Sequence, residues 1–304
     1  MIINPASASA SRADLWKACE KILTDGGLQV RHLLTEYPGQ GIELARQAAA
    51  EGCRKLVAVG GDGTIHEVMT GLLRYCDAEK ADMGDFTLAV IPYGTGNDWI
   101  RTSLVPRDLS EATRCILAGK TAREDVVRLT FGNGTFCMAN IGGIGLDADI
   151  CYNTNKLKEK GHKGGILYKL VAPWSIFSKK CRPVEIVCDG KPVYKGKLYS
   201  AVIGNGIYRG GGIHQNADGG SWSDGQLELS VMPGVNAFKG LSQMLHAIKG
   251  DFAVQPGIIT LQFKKMTVTP LGGRPDRVES DGEIPGSIPL TVEVTGQQIN
   301  IIVP

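Results

Sequence analysis

Lys55-Leu56-Val57-Ala58-Val59-Gly60-Gly61-Asp62-Gly63-Thr64-Ile65-His66-Glu67 is the stretch that decides how this chain is read. Its first five residues are a short apolar run of the kind that fills a buried parallel strand. Beyond the glycines, apolar residues fall at Ile65, Val68, Met69, Leu72 and Leu73, which places one apolar stripe on a helix. The glycines therefore lie between a strand and a helix. Lacking Cβ atoms, they let backbone amides approach a bulky anion at a helix start, where the partial charge is positive. No Lys-Ser or Lys-Thr pair follows and the GxGxxG order is absent, so neither a Walker loop nor a dinucleotide fingerprint is indicated. A carboxylate at Asp62 would repel phosphates unless a cation, a water or a sugar hydroxyl stood between them, and a magnesium nucleotide supplies all three. The same residues are also consistent with a plain tight connection in which Asp62 caps the following helix.

Strand and helix alternate on both sides of this loop. Ile2-Ile3 starts a first strand that Pro5 stops. Leu15, Trp16, Cys19, Ile22 and Leu23 give a helix closed by Gly26-Gly27. Leu28 to Leu34 reads as a second strand ending at Thr35, Gln40 to Ala50 as a second helix, and Thr87 to Ile91 as a fourth strand. That alternation predicts a parallel sheet with right-handed crossovers. A second loop, Tyr93-Gly94-Thr95-Gly96-Asn97-Asp98, leaves the same sheet edge, so Asn4, Thr35, Asp62 and Thr95 are expected to border one crevice. Asp108 with Glu111 caps another helix, which Gly119 closes.

After about Asp125 the texture becomes antiparallel β. Asn133-Gly134 and Asp189-Gly190 are hairpin turns, and further strands are expected at Gln226 to Val231, Met266 to Thr269 and Gln298 to Val303. Helices are expected near Gly165 to Phe177 and Ala237 to Lys249. Two domains follow, 1–125 and 126–304, with the last strand packing back near the first domain; 304 residues suffice for two cores. The 40 glycines are nearly double the usual share of about 7%.

A net charge of +2 and no basic helix with interleaved aromatics argue against nucleic acid. The eight cysteines form no CxxC pair and read as reduced thiols inside a cell. No signal region opens the chain and no apolar window approaches a membrane span, so a soluble, cytoplasmic protein is expected. Gly143-Ile144-Gly145-Leu146-Asp147-Ala148 matches GxGxxA, but follows a hairpin strand and lacks the βαβ context of a dinucleotide site. His66 reads as a packed or surface histidine before it reads as a ligand. Lys156, Lys158, Lys160, His162 and Lys163 form a basic run, either solvated or in contact with a membrane.

The pattern Asn4-Pro5, Gly60-Gly61-Asp62-Gly63-Thr64 with Glu67, then Gly94-Thr95-Gly96-Asn97-Asp98, Ala217-Asp218, Asp224-Gly225-Gln226-Leu227 and Asp281-Gly282-Glu283 resembles the diacylglycerol kinase catalytic family, to which sphingosine kinases belong. The resemblance implies an ATP-dependent lipid kinase. It has a nucleotide-binding α/β domain, a β-sandwich-like second domain and an active site in the cleft between them. It assigns the nucleotide to Asn4, Pro5, Ala6, Ser7, Ala8, Thr35, Gly60, Gly61, Asp62, Gly63, Thr64, Ile65, His66, Glu67, Gly94, Thr95, Asn97 and Asp98. A structural magnesium (Mg2+) falls on Asp224 with main-chain oxygens of Ser221 and Gln226. Asp281 is the general base, with Glu283 orienting it or a magnesium water. Apart from the resemblance, Asp224-Gly225 and Asp281-Gly282 read as ordinary turns. The chain departs from the family at Ala8, where relatives carry glycine, and in its arrangement of Gly219, Gly220 and Trp222. The expected partners are a diacylglycerol-like lipid alcohol and a membrane surface met transiently, with a homodimer as an open alternative. NAD kinase, which shares the Gly-Gly-Asp-Gly-Thr loop, and a non-catalytic nucleotide or lipid sensor are the rival readings.

Overall fold

The structure, a computed structural model, describes residues 1–7, 14–94, 97–159, 166–214 and 221–304. The expected roles of Ala8, Thr95, Gly96, Lys160, Gly161, His162, Lys163, Ala217, Asp218, Gly219 and Gly220 fall outside the described residues. The chain divides into two units, Met1–Val126 with Thr295–Pro304, and Val127–Val294.

In the first unit, Ile2–Ile3 forms β1, Leu33–Leu34 β2, Lys55–Gly60 β3 and Thr87–Pro92 β4. All pair in parallel: β1 with β2 on one side and β3 on the other, and β3 with β4. Asn300 and Ile301 add a further parallel strand beyond β4. The chain goes from β1 outward to β2 and returns to the opposite side of β1 as β3. Strand order therefore reverses between β1 and β3, and the crevice outside their carboxyl ends is the switch point where open parallel sheets bind ligands. Strand β2 is shorter than the expected Leu28 to Leu34. As the edge strand it pairs on one side only, and Leu28 and Arg31 lie exposed.

The helices of this unit are α1 (Leu15–Asp25), α2 (Gln40–Ala50), α3 (Asp62–Glu79), α4 (Trp99–Ser103) and α5 (Leu109–Ala118). Each longer one follows its apolar stripe: Trp16, Cys19 and Leu23 bury one face of α1, and Ile65, Val68, Met69, Leu72 and Leu73 that of α3. Asp108 caps α5 by accepting the Glu111 N–H at 2.9 Å, as its sequence suggests.

The second unit is antiparallel and β-sandwich-like. The chain enters it within β5 (Thr121–Phe131), which pairs with β6 (Gly134–Met138); β7 (Ile141–Gly145) then runs into α6 (Leu146–Glu159), followed by α7 (Ile166–Ser178). Next come β8 (Arg182–Cys188), β9 (Lys191–Gly204), the short pair β10 (Tyr208–Arg209) and β11 (Ile213–His214), β12 (Leu227–Pro233) and α8 (Ala237–Lys249). The rest is β13 (Ile259–Phe263), β14 (Lys265–Pro270), β15 (Arg277–Ser280), β16 (Glu283–Ser287) and β17 (Leu290–Ile302), whose last residues return to the first unit. Strand β9 is the hub: it pairs with β8 through its first half, and with β7 and β12 through its second. Val127, Leu129, Ile186, Ile203, Leu229 and Val268 fill the sheet core, and Leu146, Ile150, Val171, Ile176 and Met232 fill a second core under the helices. Sequence reading does not find α6, because Asp147, Asn153, Asn155 and Lys156 interrupt its apolar spacing.

A buried charge network ties α6, α7 and the approach to β15 together. The Lys179 ammonium, with no exposed side-chain surface, lies 3.0 Å from Asp149 and 3.2 Å from Asp276, and Arg182 reaches Asp276 at 2.6 Å. Removing one partner of a buried pair leaves the other charge desolvated. Lys179→Met should therefore lower the unfolding free energy by about 3 kcal/mol or more, read by urea denaturation. A loss below about 1 kcal/mol would show that solvent already screens the network.

Candidate active site

The two glycine loops of the first unit touch. A Cβ on Gly94 would lie 2.9 Å from the Gly61 Cα, so the close approach needs glycine there, and one on Gly60 would collide with the Thr64 side chain that packs beneath it. The Tyr93 N–H donates to the Gly60 carbonyl at 2.8 Å and the Gly94 N–H at 3.2 Å, while Asn97 Nδ2 donates to the Gly94 carbonyl at 3.0 Å. Gly61 is the N-cap of α3 and no side chain caps that helix. The first amides of a helix have no intrahelical acceptor, which leaves a positive end at the switch-point crevice. Thr64 Oγ1 is buried beneath Gly60 and has no hydrogen-bond partner among the described residues.

Asp62 does not cap its own helix. Its Oδ2 accepts from the Asp98 N–H at 3.0 Å and its Oδ1 from the Trp99 N–H at 3.1 Å, so the carboxylate caps α4 across the loops. Trp99 is held from the other side by Nε1, 3.1 Å from a Glu124 carboxylate oxygen. Asn4 and Thr35 stand at neighbouring strand ends: Asn4 N–H donates to Val59 O, Thr35 N–H to Ile3 O, and Asn4 Oδ1 accepts from Ala6 N at 3.1 Å in the Pro5–Ser7 turn. Three expected nucleotide contacts have other occupations. Ile65 and His66 are buried at 1% and 3% exposure on α3, and Glu67 accepts from the amides of Gly39 at 2.8 Å and Gly41 at 2.9 Å, capping α2. Their spacing from the loop turns those side chains into the core, so only the backbone at the helix start points toward the crevice.

In the second unit, β15 and β16 are joined by Asp281 and Gly282, both at positive φ. Asp281 is 5% exposed. Its Oδ1 accepts from the amides of Asn140 at 2.8 Å and Ile141 at 3.2 Å; its Oδ2 accepts from Ala139 at 3.0 Å and from the Ser280 hydroxyl at 3.2 Å. A carboxylate has about four lone-pair sites, and these donors fill them. Through these bonds the group expected as the general base also fixes the turn against the β6–β7 corner.

Around this turn lies a cluster that sequence reading misses. Glu279 Oε1 accepts from Gly282 N at 2.7 Å; the Gly282 carbonyl accepts from Cys151 Sγ at 3.1 Å and Asn155 Nδ2 at 2.9 Å. Asp147 accepts from Ser200 Oγ and Arg209 Nη1. Burial, then the neighbouring charges of Asp281 and Asp147, push Glu279 well above the usual carboxylate range, against the pull of the Gly282 N–H. Burial likewise raises the Cys151 thiol. The available signal was the two-residue spacing of Glu279 and Asp281, which puts alternate side chains on one face of a strand.

At the expected magnesium turn, Asp224 is exposed and its Oδ1 accepts from Gln226 N at 3.0 Å, an Asx turn. The oxygens of Ser221, Asp224 and Gln226 suit magnesium in kind, being hard donors with a single carboxylate. No group of three His, Cys, Asp or Glu side chains comes together as a metal site among the described residues.

Two consequences are measurable. Asp281→Asn sets an amide NH2 against backbone donors and should lower stability by about 2 to 4 kcal/mol in denaturant titration; an unchanged midpoint would contradict the anchoring role. Glu279 holds its proton in the folded chain over pH values where the unfolded chain has lost it. Stability should therefore fall as pH rises above the unfolded value of about 4.3 toward the raised folded value. Glu279→Gln keeps an acceptor for Gly282 N–H and should remove that part of the decline, while matching the parent at lower pH. Parallel melting-temperature profiles for parent and variant would contradict it.

Known proteins carry this arrangement of chain. Residues 1–129 match the family described as diacylglycerol kinase catalytic domain, and residues 141–303 the YegS C-terminal NAD kinase beta sandwich-like domain. The chain is similar to "Diacylglycerol kinase" of Bacillus subtilis (strain 168), 26% identical over 308 aligned residues that cover 100% of this chain and 95% of that protein. It is 28% identical to "Probable lipid kinase YegS-like" of Enterobacter sp. (strain 638), covering 76% of this chain and 73% of the relative. Among solved structures, "a putative diacylglycerol kinase from Bacillus anthracis str. Sterne" shares the fold with a TM-score of 0.75 at 24% identity, covering 100% of this chain and 96% of that one. With both family matches in order along one chain, and with the glycine loops at the switch point that the first of them occupies, this protein belongs to the diacylglycerol kinase and YegS-like lipid kinase family.

Proposed function

We propose that the protein transfers the γ-phosphoryl group of magnesium ATP to the hydroxyl of a lipid alcohol of the diacylglycerol class. The observation that carries this reading is the pair of abutting glycine loops at the switch point, with the uncapped start of α3 and the buried Thr64 hydroxyl, unpartnered among the described residues. Backbone amides aimed at an anion by a helix dipole suit a polyphosphate. The names of the relatives support a lipid acceptor.

In such transfers, positioning and charge neutralisation provide most of the acceleration. The amides of Gly61, Asp62 and Gly63 would receive phosphate oxygens, with Asn4, Thr35 and Gly94 bordering the nucleotide. Asp62 acts through the loop it holds. Magnesium, when bound with the nucleotide, would neutralise phosphate charge; a second ion at Ser221, Asp224 and Gln226 would brace that turn. The acceptor proton would go to a carboxyl of the β15–β16 turn. The resemblance nominates Asp281 with Glu283, and Glu279, whose proton affinity burial raises, stands beside them with Oε1 on the Gly282 N–H.

The test is a radiolabelled ATP assay over a panel of lipid alcohols, with NAD as a further acceptor because the second-domain family carries NAD kinase in its description. Label should appear in a lipid product and not in NAD. Phosphorylated NAD without labelled lipid would favour an NAD kinase, and ATP binding without any turnover a sensor. Asp62→Ala should weaken magnesium ATP at least about tenfold by calorimetry, since it releases two charge-assisted bonds between the loops. Parent affinity in that variant would remove the loop clamp from the mechanism.

A further inference from the structure

Helix α8 is apolar on two faces, for Ala237, Leu241, Met244 and Ala247 pack on the core under the helices. Its buried positions are Gly240, Gln243 and Ala247, while Phe238, Leu245 and Ile248 are 78%, 54% and 59% exposed. Spacings of seven and three place those three on one face. An ordinary surface helix with one core-facing stripe is polar on its opposite face. The neighbouring α7 adds Trp174 at 62% and Phe177 at 58%, three residues apart, while Val171, Ala172 and Ile176 fill the core behind. Phe177 and Phe238 meet edge to face with ring centroids 6.2 Å apart, joining the two outward faces. Val254, 67% exposed, continues the patch in the 3-10 turn packed against α8. Soluble surfaces scatter large apolar side chains singly, and a continuous group of them marks a contact surface.

The charges carried by the two helices have one sign. Lys180, Lys239 and Lys249 are exposed beside it, and neither Ile166–Ser178 nor Ala237–Lys249 contains an aspartate or glutamate. Asp251, next along the chain, is turned to His246 at 3.0 Å. Aromatic and aliphatic side chains rimmed by lysines match an anionic lipid surface, where the rings enter the interface and the lysines meet the negative headgroups. A two-fold dimer through this face would set the lysines of one copy against those of the other.

We propose that the outward faces of α7 and α8, with Trp174, Phe177, Phe238, Leu245, Ile248 and Val254, dock the protein on an anionic lipid bilayer. The surface rests on the lipid-acceptor reading and gives it a point of contact. It differs from the basic run expected at Lys156 to Lys163, of which Lys156 and Lys158 are exposed on α6 and the others lie outside the described residues.

The test separates docking from chemistry. Parent and Phe238→Ser/Leu245→Gln/Ile248→Gln protein, which keeps every lysine, are sedimented with phosphatidylcholine vesicles with and without phosphatidylglycerol. The parent should bind the anionic vesicles, and the variant at least about tenfold less, since each buried CH2 contributes about 0.8 kcal/mol. Activity on a water-soluble short-chain diacylglycerol should be unchanged in the variant while activity on vesicle-borne lipid falls. A variant equal to the parent in sedimentation overturns the proposal, as does a dimeric parent that becomes monomeric in the variant with vesicle binding intact. If the triple variant does not fold, Trp174 of the parent decides. Its emission should move to the blue on anionic vesicles, a shift absent from Trp174→Phe, and no difference between the two overturns the proposal. Absence of kinase activity in both proteins would sink the lipid-kinase reading and leave the vesicle result standing.

Discussion

Two amide hydrogen bonds to the Asp62 carboxylate hold the glycine-loop end of the first unit together. Glycine at 94 allows the β4–α4 loop to lie against Gly61 of the β3–α3 loop, but glycine-rich backbone is the most entropically costly to fix. The bonds from Asp98 N and Trp99 N to Asp62 fix it, and Trp99 transmits the restraint to Glu124. A negative side chain beside a proposed phosphate site looks contradictory from sequence. Its charge is directed to the amides of Asp98 and Trp99 and so shapes the loop pair.

The same device recurs across the chain. Glu67 caps α2 by two amides and Asp281 binds three amides and a hydroxyl, so a carboxylate expected at the nucleotide and one expected as the base both hold backbone. This was not legible in the sequence because the partners are distant in the chain: Asp281 meets residues around 140, and Glu67 meets residues near 40. Local patterns report propensity and periodicity, and carry no information on which amide a carboxylate will find.

What was legible follows from periodicity. Lys55 to Val59 reads as a buried strand because parallel strands are apolar on both faces, and Asp189-Gly190 reads as a hairpin because both residues take positive φ. Leu28 to His32 misled, since a strand-like run at a sheet edge need not pair. Helix α6 was lost to its polar residues. The apolar face of α8 shows the limit from the other side: a stripe of Phe, Leu and Ile at helical spacing is the same in sequence whether it faces a core or water.

The account stands on the start of α3 as the seat of a polyphosphate. Amide NMR of the isotopically labelled protein during a magnesium ATP titration tests this directly. The account predicts that the Gly61, Asp62 and Gly63 amide signals shift and gain protection from exchange with the same midpoint as binding. Saturation by ATP with those three amides unmoved would contradict it.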